Sequence, residues 1–187
     1  MEDFNGFPKI ARLSREMIIT EKIDGTNGQI FIGENGEFLV GSRKQWITPE
    51  KDNYGFARWA YDHMDELMMG LGPGRHFGEW WGSGIQRGYG LPKGEKRFSL
   101  FNVKRWGDDA IRPKCCHVVP ILYNGIFNTE MVFYVMNYEL SKRGSSAAPG
   151  FMNPEGVVVY HTAGNVMFKK TFEKDDIGKD DGNIAIN

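Results

Sequence analysis

The tightest constraint on this chain is the tripeptide Glu34-Asn35-Gly36, set between the short runs Gln29–Ile32 and Glu37–Gly41. Asn and Gly tolerate positive φ, so Asn-Gly between two such runs is a strong short-range signal for an antiparallel hairpin. A chain with that signal near its start is committed to sheet. The same signals recur further on. Met17–Ile23 reads as a strand, with Gly25-Thr26-Asn27-Gly28 interrupting it. Gly156–Tyr160 and Val166–Phe172 read as a second hairpin around Ala163-Gly164-Asn165. His76–Trp81 and Phe98–Val103 read as short strands on either side of a long loop holding Gly82, Gly84, Gly88, Gly90 and Gly94.

Two segments change period. Across Asn53–Met69, residues Phe56, Trp59, Ala60, His63 and Leu67 recur at helical spacing, and Gly70, Gly72, Pro73 and Gly74 stop the helix. Thr129–Leu140 reads as a second helix, with Thr129 or Asn128 as N-cap and Gly144 as terminator. Ser145–Pro154 is a loop of small residues. Strands with inserted helices predict an α+β fold with largely antiparallel sheets. The 187 residues suit a single domain spanning 1–187. No apolar run approaches the length of a bilayer span. The opening Met1-Glu2-Asp3-Phe4-Asn5 is acidic and polar rather than a leader, and Cys115 and Cys116 are neighbours that rarely bridge. A cytoplasmic location is therefore expected.

The formal net charge of −1 argues against a protein that holds nucleic acid by bulk charge alone. The charge is uneven, however. Arg87–Lys114 carries eight basic and three acidic residues, and Glu173–Asp181 carries five acids and two lysines. The first reads as a basic surface or as solvated loops, the second as an acidic tail.

The segment Glu21-Lys22-Ile23-Asp24-Gly25-Thr26-Asn27 carries the sharpest chemistry. An ordinary lysine amine is charged at neutral pH and attacks only when neutral, a state favoured by nearby cations or a metal ion. A glycine turn lets a phosphate come close to the backbone. Asp and Asn can orient the amine or the phosphate. The set suits attack on an α-phosphorus, giving a phosphoramidate while pyrophosphate leaves. On residues alone, a lysine and an aspartate at a strand end before a Gly-Asn turn is the plain alternative. Other clusters carry less. Cys115-Cys116-His117 has no second pair of ligands for zinc. Gly82-x-Gly84 lacks the context of a dinucleotide fingerprint. His63 reads as packing.

This segment resembles motif I of the covalent nucleotidyltransferases, the superfamily of ATP-dependent ligases and mRNA capping enzymes. Gly41-Ser42-Arg43 is similar to the basic segment that comes after motif I. Phe77-Gly78-Glu79-Trp80-Trp81-Gly82 is similar to motif III, Phe98-Ser99-Leu100-Phe101-Asn102-Val103 to motif IIIa, Pro154-Glu155-Gly156-Val157-Val158-Val159 to motif IV, and Val166-Met167-Phe168-Lys169-Lys170 to motif V. The six occur in family order. Asn27 stands where DNA ligases and capping enzymes usually carry arginine, and it resembles the phage nick-sealing RNA ligases.

The resemblance implies the nucleotidyltransferase (ATP-grasp-like) domain of polynucleotide ligases, and an ATP-dependent RNA ligase acting on RNA ends or a nicked duplex. Lys22 would carry covalent AMP. Glu21 would read the adenine edge through its carbonyl or side chain, and Asp24 would support the lysine or a metal-bound water. Asn27 would hold phosphate or a strand end, Arg43 would reach ribose or phosphate, and Glu79 would accept from a ribose hydroxyl. Phe101 would stack on adenine, although the residues alone fit a core phenylalanine equally well. Trp80 and Trp81 read as core or rim packing. Glu155 would bind Mg²⁺ or Mn²⁺. On an extended strand Lys169 and Lys170 face opposite sides, so one of them would contact the α-phosphate, with Lys169 first and Lys170 second. Thr171 stands where the family often has another lysine.

About fifteen residues come after the motif V segment, which predicts a minimal core without the appended C-terminal barrel that family ligases usually carry. Such a core is expected to act as a monomer, in a host's cytoplasm if phage-encoded, with the Arg87–Lys114 stretch or a helper protein holding nucleic acid. The alternatives are a small ATP-dependent DNA ligase, a capping-type guanylyltransferase and a non-catalytic nucleic-acid-binding relative.

Overall fold

Alternation along Glu16–Lys22 gives the first strand, β1, two distinct faces. Met17 and Ile19 are wholly buried on one side, while Ile18, Thr20 and Lys22 lie on the other. The computed structural model describes residues 2–173 and 175. The acidic tail expected over Glu173–Asp181 therefore falls mostly outside the described residues.

β1 sits inside a four-stranded antiparallel sheet of order β10-β9-β1-β8, with β8 at Ile121–Ile126, β9 at Gly156–His161 and β10 at Val166–Thr171. Its buried face packs under a helical segment. That segment runs from α4 (Thr129–Tyr134) through a π-helical stretch (Val135–Leu140) into α5 (Ser141–Arg143). Asn128 caps it by accepting from the Glu130 amide at 2.8 Å, and Gly144 ends it. The sequence predicts one plain helix here. The wider turn places Val135 and Leu140, five residues apart, on the same side, where they bury against Met17, Ile19, Val157 and Val159.

The second sheet has six strands in the order β4-β3-β2-β5-β6-β7. These are β2 (Thr26–Ile32), β3 (Phe38–Gly41), β4 (Trp46–Ile47), β5 (Gly74–Gly82), β6 (Lys96–Leu100) and β7 (Cys116–Val118). All neighbours are antiparallel except β6 and β7. The expected hairpin forms as β2 and β3, with Ile32 opposite Phe38. One face of this sheet, carrying Ile30, Ile32, Val40, Trp80, Phe98 and Leu100, is covered by helices α1 (Phe56–Asp62) and α2 (Met64–Leu71). Gly28 and Gly78 are paired in the middle of that face, and a Cβ on Gly28 would meet the Phe56 ring at 2.6 Å. Gly28 thus makes room for the Phe56 ring, and Gly78 for the Phe98 ring beside it.

Several boundaries differ from the sequence reading. Thr26, Asn27 and Gly28 do not interrupt the sheet; they begin β2, opposite Trp80, Glu79 and Gly78. The single helix expected over Asn53–Met69 breaks at His63 (φ −111, ψ 18), whose Nδ1 lies 2.8 Å from the Trp59 carbonyl oxygen. The strand expected over Phe98–Val103 stops at Leu100, because Asn102 turns the chain into the short helix α3 (Val103–Trp106), its side chain accepting from the Arg105 amide. Strands β4, β7 and β8 are additional. Among the described residues no helix is long and apolar enough to cross a membrane.

Candidate active site

β1 belongs to one sheet and β2 to the other, so the residues between them lie where the sheets meet. A cavity of about 800 Å³ opens there. Its walls are the Thr20 and Lys22 face of β1, Val158 and Tyr160 of β9, Asn27 and Glu79 of the second sheet, and the segment Phe101–Arg105. Lys22 ends β1 inside it. The Lys22 Nζ lies 2.5 Å from Glu155 Oε2, although 133 residues separate the two. The register explains this meeting: Lys22 pairs with Gly156, so Glu155 enters β9 beside it.

Glu79 fixes the passage between the sheets. Its Oε1 accepts from the Gly25 amide and its Oε2 from Asn27 Nδ2, both at 3.1 Å. A Cβ on Gly25 would collide with the Trp80 carbonyl oxygen, so glycine is what allows this close crossing. Phe101 ends the strand run at the cavity wall and is 40% exposed there, with its ring unclaimed by the core.

Other candidates sit differently. The Glu21 carboxylate faces away from Lys22 and is buried. Ser145 Oγ donates to its Oε1 at 2.5 Å, and the amides of Ser146 and Ala147 donate to its Oε2 at 2.8 and 2.9 Å. Burial pushes this carboxyl upward and the three donors pull it back. The Glu21 carboxylate is thus engaged by the loop of Ser145, Ser146 and Ala147, although the residue also lines the cavity. Asp24 turns to Arg87, whose Nε donates to Asp24 Oδ2 at 3.0 Å, and its amide donates to the Tyr89 hydroxyl at 2.8 Å. Arg43 is exposed on the turn after β3, outside the cavity wall.

Lys169 pairs with Val158, which pairs with Thr20, and both of those line the cavity. Lys169 is therefore on the cavity face of the four-stranded sheet. Lys170 is on the opposite face, with Nζ 5.4 Å from the Phe133 ring of α4 and 2.7 Å from Asp175. The strand alternation separates the two lysines. Among the described residues no three His, Cys, Asp or Glu side chains cluster as a metal cage. Glu155 is the carboxylate that meets Lys22.

A model of the RNA ligase family matches residues 15–176. The chain belongs to the RNA ligase family. Its fold is similar to that of Naegleria gruberi RNA ligase. An apo mutant of Naegleria gruberi RNA ligase R4a superposes with a TM-score of 0.62 at 19% identity, covering 84% of this chain and 50% of that one. A mutant with AMP and Mn gives a TM-score of 0.61 at 20% identity, over 85% and 50% of the two chains. The form with pyrophosphate gives 0.61 at 19%, over 84% and 50%. The chain thus spans about half the length of the structures it matches. No curated protein sequence matches it.

For this member of the RNA ligase family, the basic stretch over Arg87–Lys114 divides, among the described residues, between internal contacts and free cations, with Lys93 and Lys114 exposed. Arg87 joins Asp24 to Asn153, its Nη1 donating to Asn153 Oδ1 at 2.9 Å. Lys96 Nζ donates to the Tyr54 carbonyl at 2.6 Å, and Arg97 pairs with Glu95. Arg112 donates to the carbonyls of Trp106 and Cys116. These four bind the chain to itself; Lys104 and Arg105 line the cavity, Arg105 also donating to the Leu71 carbonyl at 2.7 Å. The motifs do not single out Arg87, Lys104 or Arg105. The Asn102 cap three residues before Arg105 is the one local signal for the last two.

Burial pushes the Glu79 carboxyl up to about 7, against the pull of Lys22 and the Gly25 amide. The folded chain then keeps a proton on Glu79 that the unfolded chain releases from about pH 4.5. This contribution is complete below pH 4.5 and is lost as pH rises through 7. It amounts to about 3 kcal/mol across that window. Glu79→Gln, neutral at every pH, should remove that slope from urea-unfolding free energies. An unchanged slope would assign the proton to another group.

Proposed function

We propose that the chain is an ATP-dependent RNA ligase working through a lysyl-AMP intermediate. The observation that carries this reading is the Lys22 amine in a cavity between two sheets, with Glu155 against it and Phe101 at the wall. Lys22 Nζ attacks the α-phosphorus of ATP. A P–N bond forms and the bond to pyrophosphate breaks. The 5′-phosphate of an RNA end then takes the AMP, freeing the lysine. A 3′-hydroxyl attacks that activated phosphate, a phosphodiester forms and AMP leaves.

Each residue's part derives from its position. Phe101 stacks on the base, an interaction of about 1–3 kcal/mol. The Glu21 backbone meets the base edge while its carboxylate anchors the Ser145 loop. Glu79 and Asn27 hold the Gly25 crossing and present oxygen and amide to the ribose. Lys169, Lys104 and Arg105 supply positive charge for the triphosphate. Asp24 acts as a positioning residue, holding the loop through Arg87. Mg²⁺ or Mn²⁺ would be held by Glu155 together with substrate phosphates and water, and would supply charge neutralisation at the α-phosphate. A single carboxylate fits such ions, which bind through one or two carboxylates plus phosphate oxygens. Residues 1–187 would form one adenylyltransferase domain working as a monomer.

The test is incubation with labelled ATP or labelled GTP, then denaturing electrophoresis, and finally sealing of nicks bearing RNA or DNA at the 3′-hydroxyl. Label from ATP and preference for RNA support the reading. Label from GTP would indicate capping chemistry, a DNA preference a DNA ligase, and no label a binding protein.

A further inference from the structure

The cavity is not the end of the sheet face that forms its floor. On β2 the residues facing away from the helices are Asn27, Gln29 and Phe31; on β5 they are Arg75, Phe77 and Glu79. Asn27 and Glu79 belong to the cavity. The next row pairs Gln29 with Phe77, and the row beyond pairs Phe31 with Arg75. Phe101 lies beside Phe77, its amide donating to the Phe77 carbonyl at 2.9 Å. On the other flank Trp46 pairs with Gly41, which pairs with Gln29. Phe101, Phe77 and Trp46 are 40%, 50% and 47% exposed. Among the described residues no helix covers this part of the sheet, whereas its reverse is closed by α1 and α2.

Cations lie among these rings. The Arg75 guanidinium is 4.8 Å from the Phe31 ring and 5.5 Å from the Trp46 ring. Arg43 and Lys44 are exposed on the turn between β3 and β4. A shallow hollow of about 130 Å³ joins Arg75 and Phe77 to Phe101, Asn102 and Arg105, and those last three also line the main cavity. Beyond Glu79 the strand residues of this face include no acid. Exposed aromatic faces interleaved with guanidinium groups match unpaired bases and their phosphates, and a sheet carrying such rings is a known way to seat single-stranded RNA.

We propose that this face, from Phe101 through Phe77 and Arg75 to Phe31 and Trp46, is the path on which an unpaired RNA strand lies as it leads into the cavity. Bases stack on Phe77 and Trp46, and Arg75 meets the phosphates between them. The proposal rests on the ligase reading for the identity of the strand. Arg105, from the Arg87–Lys114 stretch, lies where this path meets the cavity.

The test is fluorescence anisotropy with a labelled single-stranded RNA of about 12 nucleotides and with a blunt duplex of the same sequence. Phe77→Ala, Trp46→Ala and Arg75→Glu are compared with the unaltered chain. Each should weaken single-strand binding about tenfold, with little change for the duplex and none in labelling by ATP. Phe77→Tyr and Trp46→Phe keep a stacking face and should bind as the unaltered chain does. Unchanged single-strand binding in the alanine variants overturns the proposal. So does equal loss on duplex and single strand, which would mean charge without stacking. So does a shift from dimer to monomer on size exclusion with RNA binding intact, which would make the face a contact between copies. Absence of ATP labelling in the unaltered chain would sink the ligase reading instead, and is scored separately.

Discussion

Lys22→Ala should reduce transfer of label from ATP to the protein by about 10⁴-fold or more, to the limit of detection. Among the described residues no other amine stands where it could take its place. Lys169 shares the cavity face but stands two strands away, across β9. Lys170 lies on the reverse of that sheet. Lys104 comes from α3 on the opposite wall. Lys22→Arg should fail equally, because a guanidinium keeps its charge and offers no nucleophilic lone pair. The loss should not reflect unfolding. The Lys22 side chain is 25% exposed and its Glu155 partner 19%, so leaving this part-buried carboxylate unpaired should cost about 1–3 kcal/mol, which the unfolding curve must show the variant survives. Intact-mass measurement after incubation with ATP and a divalent ion, beside a thermal unfolding curve, separates chemistry from folding. A Lys22→Ala protein that still gained one AMP would remove the basis of the mechanism.

What is legible in the sequence is local or carried by the family resemblance. The β2–β3 hairpin can be read because Asn35-Gly36 sits between two alternating runs. The same dipeptide makes no turn in β8, where Asn124-Gly125 lies inside a strand. Gly125 pairs with Met17 there, and a neighbour across the sheet overrides the turn preference. Asn27 and Gly28 do mislead: each looks like turn chemistry, yet pairing with Glu79 and Gly78 draws both into β2. The partnership of Lys22 with Glu155 depends on strand register across 133 residues, and only the order of motifs hints at it. Strand alternation distinguishes Lys169 from Lys170 without any coordinates, and the two faces of β10 have that arrangement. The Asp24–Arg87 pair has no local signal, since Arg87 stands in a glycine-rich loop and reads as one more cation. The anchoring of Glu21 by Ser145, Ser146 and Ala147 is hidden for a similar reason: small residues in a loop do not announce which carboxylate their amides will meet.

Glu155→Ala should slow lysyl-AMP formation by about 10²–10³-fold, the effect of removing one group that stabilises charge developing in a water-poor site. Two roles are open to this carboxylate, and the variants separate them. As a partner of Lys22 alone, at 2.5 Å, it would orient the amine, and its loss would leave the dependence of rate on Mg²⁺ or Mn²⁺ concentration where it was. As a ligand for the divalent ion, its loss should also move that dependence to higher concentration. Glu155→Gln keeps the shape and a hydrogen-bond acceptor but removes the charge, so it should resemble alanine in the metal titration. Glu155→Asp keeps the charge one methylene further back and should recover part of the rate at high Mn²⁺. The backbone carbonyl of Glu155 accepts from the Phe172 amide at 3.0 Å, a contact that none of these substitutions touches, so the strand entry of β9 should survive in all three. Single-turnover rates of AMP transfer across a titration of each ion are the measurement. An alanine variant with a reduced rate but an unmoved metal midpoint would confine Glu155 to holding Lys22.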